Sequence, residues 1–125
     1  KAVEENTYKC FLSEETELPM MYMDDAIKAT IGIMQAKKED VKIRSAYNLS
    51  AMSFTPKVLA ASIAEVQDGF TITYEPDFRQ AIADSWPSSI DDSSAREDWG
   101  WKHDFDMKKM TQTMLENLKN KITTV

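Results

Sequence analysis

The sequence is poor in the residues that hold metals and disulfides, with one cysteine and one histidine among its 125 residues. Cys10 has no second cysteine with which to form an internal disulfide, and His103 lies too far along the chain to complete a zinc motif with it. We therefore expect no resident metal and a protein of a reducing compartment. In this interpretation Cys10 is a buried or unreactive strand thiol.

The sequence also lacks the parts of a dinucleotide-dependent redox site. Such a site needs closely spaced glycines, so that the backbone can approach a pyrophosphate at a helix N-terminus. The chain has only Gly32, Gly69 and Gly100, which lie far apart. A catalytic tyrosine with a lysine four residues later, whose ammonium lowers the phenol's pKa, is missing too. The residues four positions after the tyrosines are Leu12, Ala26, Ala51 and Phe78.

Other catalytic arrangements are equally poorly supported. His103 has no serine or cysteine nucleophile in a matching motif, so we interpret it as a surface or packing residue. Paired carboxylates occur at Asp24 and Asp25 and again at Asp91 and Asp92. They resemble a metal site or an acid/base couple, but both pairs precede predicted helices. We therefore predict helix capping.

Charge and hydropathy limit the partners and the compartment. The net charge of -6 disfavours nucleic acid, because it opposes a phosphate backbone. No apolar run approaches the roughly 20 residues that cross a bilayer, and no signal peptide is recognisable. We expect an intracellular protein without a membrane partner. Because the chain opens on Lys1 inside a helix-like stretch, we also expect a fragment of a longer protein.

Strand and helix signals alternate along the chain, which predicts α/β construction in a single domain spanning residues 1–125. Helices are predicted after Asp24, after the Thr55-Pro56 start signal, from about Asp92 to Trp99, and from about Asp106. The residues from Pro76 to the third of these helices are predicted to be irregular. Strands are predicted at Tyr8–Leu12, Met20–Met23, Ile43–Leu49 and Phe70–Tyr74, with Thr71 and Thr73 facing water.

Apolar side chains at helical spacing predict the core. Ile27, Ile31 and Met34 recur at this spacing on the helix predicted after Asp24. On the helix predicted from about Asp106, the residues at this spacing are Met107, Met110, Met114 and Leu118. The eight methionines are interpreted as core residues; the alternative is a methionine-rich binding surface. Trp99 and Trp101 are predicted to pack around a helix end at Gly100.

The segment from Asp77 to Trp101, DFRQAIADSWPSSIDDSSAREDWGW, contains the best candidates for a binding site. An arginine can hold a carboxylate through two hydrogen bonds, and a tryptophan can exclude water beside it. Arg79, Asp84 and Trp86 would therefore suit a small zwitterion. The alternative for Arg79 is a surface ion pair with Asp77 or Glu75, which stabilises little.

Three motifs stand out along the chain: Met20–Ala26 (MMYMDDA), Tyr47-Asn48-Leu49 followed by Thr55-Pro56, and Arg79 with Asp91-Asp92 and Trp99-Gly100-Trp101. They occur in the order found in extended short-chain dehydrogenases, the NAD-dependent epimerase/dehydratase superfamily. The sequence most resembles the C-terminal part of its threonine dehydrogenase branch. Sugar-nucleotide epimerases of the superfamily carry an arginine where this chain has Leu18 or Pro19, which disfavours a sugar-nucleotide substrate.

This resemblance implies an α/β substrate-binding lobe that is incomplete without an NAD-binding Rossmann part upstream of Lys1. The parent enzyme would oxidise L-threonine to 2-amino-3-oxobutyrate in the cytoplasm, or in the mitochondrial matrix of a eukaryote. Arg79 and Trp86 would line or close the amino-acid site, with Ser85 and Asp84 as further candidates, and no catalytic residue would lie in this chain. A nucleotide-sugar epimerase or dehydratase and a non-enzymatic interaction domain remain alternatives.

The missing glycine loop and tyrosine–lysine pair generate a first prediction. The 125-residue chain alone neither binds NAD nor forms NADH from L-threonine. Titration calorimetry with NAD and absorbance at the NADH band test both statements. Measurable heat of NAD binding to a folded sample would contradict them.

Overall fold

Helices and strands alternate along the chain in the computed structural model, which describes residues 1–123. This alternation confirms the predicted α/β construction. Within the described residues, no helix combines the length and the apolar character needed to cross a bilayer. The elements are α1 (Ala2–Glu5), β1 (Thr7–Cys10), β2 (Leu18–Met20), α2 (Met23–Gln35), β3 (Met52–Phe54), α3 (Pro56–Val66), β4 (Thr71–Tyr74), α4 (Arg79–Asp84), α5 (Ser93–Trp99) and α6 (Met107–Thr123).

The strands form two sheets of two strands each within residues 1–123. β1 runs parallel to β4, with Cys10 opposite Tyr74, and β2 runs antiparallel to β3, with Leu18 opposite Phe54. Thr71 and Thr73 are exposed while Ile72 and Tyr74 are half-buried, so the predicted alternation in β4 is confirmed. Cys10 is buried, as predicted.

Two of the strand predictions are wrong. β2 ends at Met20, so Met21 and Tyr22 continue into α2 without pairing, and the segment 43–49 forms no strand. An apolar segment becomes a strand only where a neighbouring strand pairs with its backbone. Here the hydroxyl of Tyr47 instead accepts hydrogen bonds from the backbone N–H groups of Lys42 and Ile43, both at 3.0 Å. These bonds close a loop.

The start of α3 and the end of α5 follow the capping signals in the sequence. The hydroxyl of Thr55 accepts a hydrogen bond from the N–H of Val58 at 3.3 Å, and Pro56 is the first residue of α3. Gly100 has a φ of 74°, in the left-handed region that favours glycine, and ends α5. The predicted starts of α3, α5 and α6 are therefore confirmed.

Asp25 ties the start of α2 to the segment that leads into α6. Its side chain is 1% exposed, and its carboxylate accepts hydrogen bonds from the backbone N–H of Asp104 at 2.8 Å and of Phe105 at 3.0 Å. The predicted capping by Asp24 or Asp25 is wrong, since Tyr22 occupies the cap position without a side-chain bond. Burial directs the Asp25 carboxylate to distant backbone donors instead.

A second buried carboxylate, Asp92, organises the core around the tryptophans. It accepts hydrogen bonds from Nε1 of Trp101 at 3.0 Å and from Nε of Arg96 at 2.8 Å. Burial alone would raise the pKa of Asp92, but the bond and charge of Arg96 outweigh it and hold that pKa below its ordinary value. Trp101 packs with Ala29 and Ala95, with Trp99 against them, which confirms the predicted packing.

The predicted core faces of α2 and α6 are only partly correct. Four of the eight methionines are exposed, so their interpretation as core is wrong for half of them. On α6 the buried residues are Met110, Thr111 and Leu115, and Thr111 bonds to Ser62 of α3, while Met114 and Leu118 are exposed. The apolar stripe of α2 lies on the outer surface and consists of Met23, Ile27, Ile31 and Met34, the last of them 79% exposed.

The two neighbouring aspartates at the start of α2 give a matched test of this fold. Asp25→Ala removes the acceptor of two backbone N–H groups and should lower the free energy of unfolding by about 3 kcal/mol. Asp24→Ala, at an exposed position in the same helical turn, should cost less than about 1 kcal/mol. Urea unfolding of both variants measures the difference. Equal effects would show that the Asp25 bonds do not stabilise the fold.

Candidate functional site

The predicted site residues lie on and just after α4, in a stretch that the sequence predicted to be irregular. That prediction is wrong, because residues 79–84 form a helix. Its outward face is apolar: Phe78 is 78% exposed, Ile82 52% and Trp86 59%. The half-buried polar side chain of Gln80 lies on the other side. The large apolar side chains of this region therefore face solvent while the polar side chain of Gln80 faces the protein, which is unusual for a surface helix.

Arg79 is held by two neighbours at the start of α4. Its Nη2 donates to Oδ2 of Asp77 at 2.6 Å and its Nε to Oδ1 at 3.0 Å. These bonds hold the pKa of Asp77 below its ordinary value. The guanidinium also stacks on the ring of Phe11, 3.4 Å from its centre. The alternative of a surface ion pair with Asp77 is confirmed, while Glu75 pairs with Lys9 instead.

Asp84 and Ser85 make their hydrogen bonds within α4. Oδ1 of Asp84 accepts a bond from Nε2 of Gln80 at 2.6 Å, and Oγ of Ser85 donates to the carbonyl of Ile82 at 2.7 Å. Both side chains are exposed, so they remain within reach of a ligand. Their present bonds serve the helix and its C-terminal end.

Trp86 has the ring most open to solvent among the three tryptophans. Its backbone N–H donates to the carbonyl of Ala83 at 3.0 Å, which attaches it to the last turn of α4. Within residues 1–123 its indole N–H has no protein acceptor. Ser85 and Trp86 thus lie together at the end of α4, and Arg79 lies at the other end, about 10 Å away along the helix axis.

Two residues of this region were not predicted from the sequence. Gln80 accepts a bond from the N–H of Ser13 at 2.8 Å and donates to Oγ1 of Thr16 at 2.9 Å. Phe11 supplies the ring beneath Arg79. The spacing of Gln80 and Asp84 on one helix face was a usable signal for their mutual bond. The contacts with Phe11, Ser13 and Thr16 span more than 60 residues and leave no local pattern.

The cavity beneath the 11–16 loop does not suit an amino acid. A cavity of about 470 Å³ lies beneath the 11–16 loop, but its lining is almost entirely apolar and includes Phe11, Phe54, Ile63 and Ile72. A zwitterion needs polar groups that compensate both of its charges. The outer surface around α4 is therefore the better candidate.

The described residues do not fit a dinucleotide. Gly32 lies inside α2, where an added Cβ would come within 3.3 Å of the Trp99 ring, so it is a packing residue. Gly69 and Gly100 have positive φ and form separate turns. None of them contributes to a phosphate-binding loop. No group of three or more histidine, cysteine or acidic side chains in residues 1–123 is placed to hold a metal ion.

Comparison with known proteins gives two names, a threonine dehydrogenase and an epimerase/dehydratase. The chain is 50% identical over 116 residues to a mitochondrial L-threonine 3-dehydrogenase of Bos taurus. It is 46% identical over 124 residues to an uncharacterized epimerase/dehydratase of Staphylococcus aureus, covering 98% of this chain. No protein-family model matches.

A solved structure gives the same result for the fold. The GalE-like L-threonine dehydrogenase of Cupriavidus necator, in its apo form, superposes with a TM-score of 0.89 and 56% identity over 94% of this chain. The match takes in 92% of this chain and 31% of the cattle protein. This chain spans 42% of the length of the Cupriavidus necator protein. The resemblance to the threonine dehydrogenase branch, and the α/β lobe that it implied, are confirmed.

The exposure of the tryptophans generates a stability prediction. Trp86→Ala should change the free energy of unfolding by no more than about 0.5 kcal/mol, because the ring is largely in solvent. Trp101→Phe should cost about 2–4 kcal/mol, since it opens a cavity and leaves Asp92 and the Ser50 carbonyl without their indole donor. Chemical unfolding compares the two. A large loss in Trp86→Ala would identify Trp86 as a structural residue.

Proposed function

We propose that this chain is the C-terminal, substrate-binding portion of an NAD-dependent L-threonine 3-dehydrogenase. The observation that carries the proposal is the superposition on a solved L-threonine dehydrogenase at 56% identity over nearly the whole chain. The whole protein would oxidise the side-chain hydroxyl of L-threonine to give 2-amino-3-oxobutyrate and NADH. For a eukaryotic source, the mitochondrial relative favours the mitochondrial matrix.

Trp86 and Ser85 form one end of the proposed substrate wall. The Trp86 ring would shield the reacting carbon from water, and Ser85 would offer its hydroxyl beside it. Asp84 supplies the carboxylate of α4, and this carboxylate could attract the substrate ammonium. Its bond from Gln80 keeps it oriented for this contact.

Arg79 would contribute charge at the other end of α4. Asp77 engages Nε and Nη2, and within residues 1–123 Nη1 has no protein acceptor. Nη1 is therefore available to the substrate carboxylate, either directly or through a water molecule. Asp77 and Phe11 restrict the guanidinium, which lowers the entropy that it would lose on binding.

The redox chemistry would belong to the rest of the protein. NAD would supply hydride acceptance there, and a general base would take the hydroxyl proton. The exposed apolar stripe of α2 supports such a partner, since monomeric proteins seldom leave a continuous apolar stripe in water. We propose that the NAD-binding part of the same protein packs on this stripe.

A nucleotide-sugar epimerase or dehydratase is the second candidate, because the Staphylococcus aureus relative carries that name. A sugar nucleotide brings two phosphate charges that need basic side chains. β2, where the superfamily's sugar-nucleotide enzymes carry arginine, consists here of Leu18, Pro19 and Met20. This difference favours the amino-acid substrate.

An assay of the protein as its source encodes it tests the proposal. NADH should form with L-threonine, while UDP-sugars should give neither an epimer nor a dehydrated product. Trp86→Ala should raise the KM for L-threonine about tenfold or more because the substrate loses its contact with the ring. Gln35→Ala, an exposed change at the end of α2, serves as the control. Turnover of UDP-sugars without threonine oxidation would favour the epimerase instead.

A further inference from the structure

α4 is too short and too poorly buried to hold its own position. It has six residues, and none of them is buried. Helices of this length are not stable in water without tertiary contacts, because nucleation costs more than a few hydrogen bonds return. Ile82, which would anchor an ordinary surface helix, faces solvent. The orientation of α4 therefore depends on polar contacts, which begin just before the helix where the N–H of Asp77 donates to the carbonyl of Phe11 at 3.2 Å.

Gln80 supplies the side-chain hydrogen bonds between α4 and the 11–16 loop. Its Oε1 accepts from the N–H of Ser13 at 2.8 Å, and its Nε2 donates to Oγ1 of Thr16 at 2.9 Å. The same amide nitrogen donates to Asp84 at 2.6 Å, within α4. Ser13 and Thr16 are joined by a 2.7 Å bond between their hydroxyls. One amide thus connects α4 to the loop between β1 and β2.

The second contact between α4 and this loop is weaker. Arg79 stacks on the ring of Phe11. However, nearly half of the Arg79 side-chain surface is exposed to solvent, and its ion pair with Asp77 is open to water. Water and salt compete with such contacts. Thr16 is buried and Gln80 half-buried, so their bonds are better protected.

We propose that Gln80 is a positioning residue, which fixes α4 on the 11–16 loop and thereby fixes the ring of Trp86 toward the substrate. The link runs from Gln80 through the backbone of α4 to the carbonyl of Ala83, which accepts from the N–H of Trp86 at 3.0 Å. The effect on substrate rests on the proposed function. The effect on Trp86 does not.

The spectroscopic test applies whatever the substrate is. The protein as its source encodes it is labelled with 5-fluorotryptophan, and the Trp86 resonance is assigned by its loss in Trp86→Phe. Gln80→Met keeps the length of the side chain but removes its hydrogen bonds. It should shift or broaden the Trp86 resonance and leave those of Trp99 and Trp101 unchanged, which also shows that the core is folded. Gln35→Met is the control.

The kinetic test asks whether this position matters for the substrate. Gln80→Met should raise the KM for L-threonine about tenfold, the equivalent of losing one protected hydrogen bond, and change the KM for NAD less than about twofold. Thr16→Val removes the other side of the same contact. The double variant should have a KM for L-threonine no higher than that of the single variant with the larger effect, because both changes break the same connection.

The outcomes separate the two proposals. An unchanged Trp86 resonance in Gln80→Met, with the protein folded, overturns the positioning role. A shifted resonance together with an unchanged KM for L-threonine, or with additive effects of Gln80→Met and Thr16→Val, overturns its link to the substrate. A shifted Trp86 resonance in a protein that does not oxidise threonine would support the role of Gln80 and contradict the proposed function.

Discussion

The structure depends on buried carboxylates that accept hydrogen bonds from groups far away in the sequence. The Asp25 carboxylate accepts hydrogen bonds from the backbone N–H groups of Asp104 and Phe105. The Asp92 carboxylate accepts them from the indole N–H of Trp101 and the backbone N–H of Ser50. With sheets of only two strands, little of the described chain is fixed by strand pairing. A buried carboxylate without such donors would be strongly destabilising, so each one enforces the packing around it. These contacts also position α5 and the lead into α6.

The apolar faces that remain exposed connect the fold to the proposed function. Ile27, Ile31 and Met34 on α2 are exposed to solvent. Ile82 on α4 and Trp86 just after it are exposed as well. A chain that folded for itself alone would bury these residues, since their burial is a main source of stability. Two different occupants fit our proposal: the NAD-binding part of the protein on α2 and the small substrate at the end of α4. The polar anchoring of α4 through Gln80 leaves its apolar side free for this use.

Local signals in the sequence predicted much of the fold. Thr55 with Pro56, and Gly100, set helix ends because capping depends on neighbouring residues. The strand predicted at Ile43–Leu49 failed because pairing depends on a partner that local sequence does not reveal. The outward stripe of α2 failed for a similar reason: periodicity identifies an apolar face but not what covers it. At the candidate site, residue type is enough to propose Arg79 and Trp86, whereas Gln80 and Phe11 act through contacts that are distant in sequence.

A chimeric enzyme tests the central claim most directly. The segment of the Cupriavidus necator enzyme that superposes on this chain is replaced by residues 1–125, so that the rest of that enzyme is joined to this proposed substrate lobe. NADH formation from L-threonine is then measured, with NAD binding as the control for folding. Our account predicts threonine oxidation that falls when Trp86 is replaced by alanine. A folded chimera that binds NAD but does not oxidise L-threonine would contradict it.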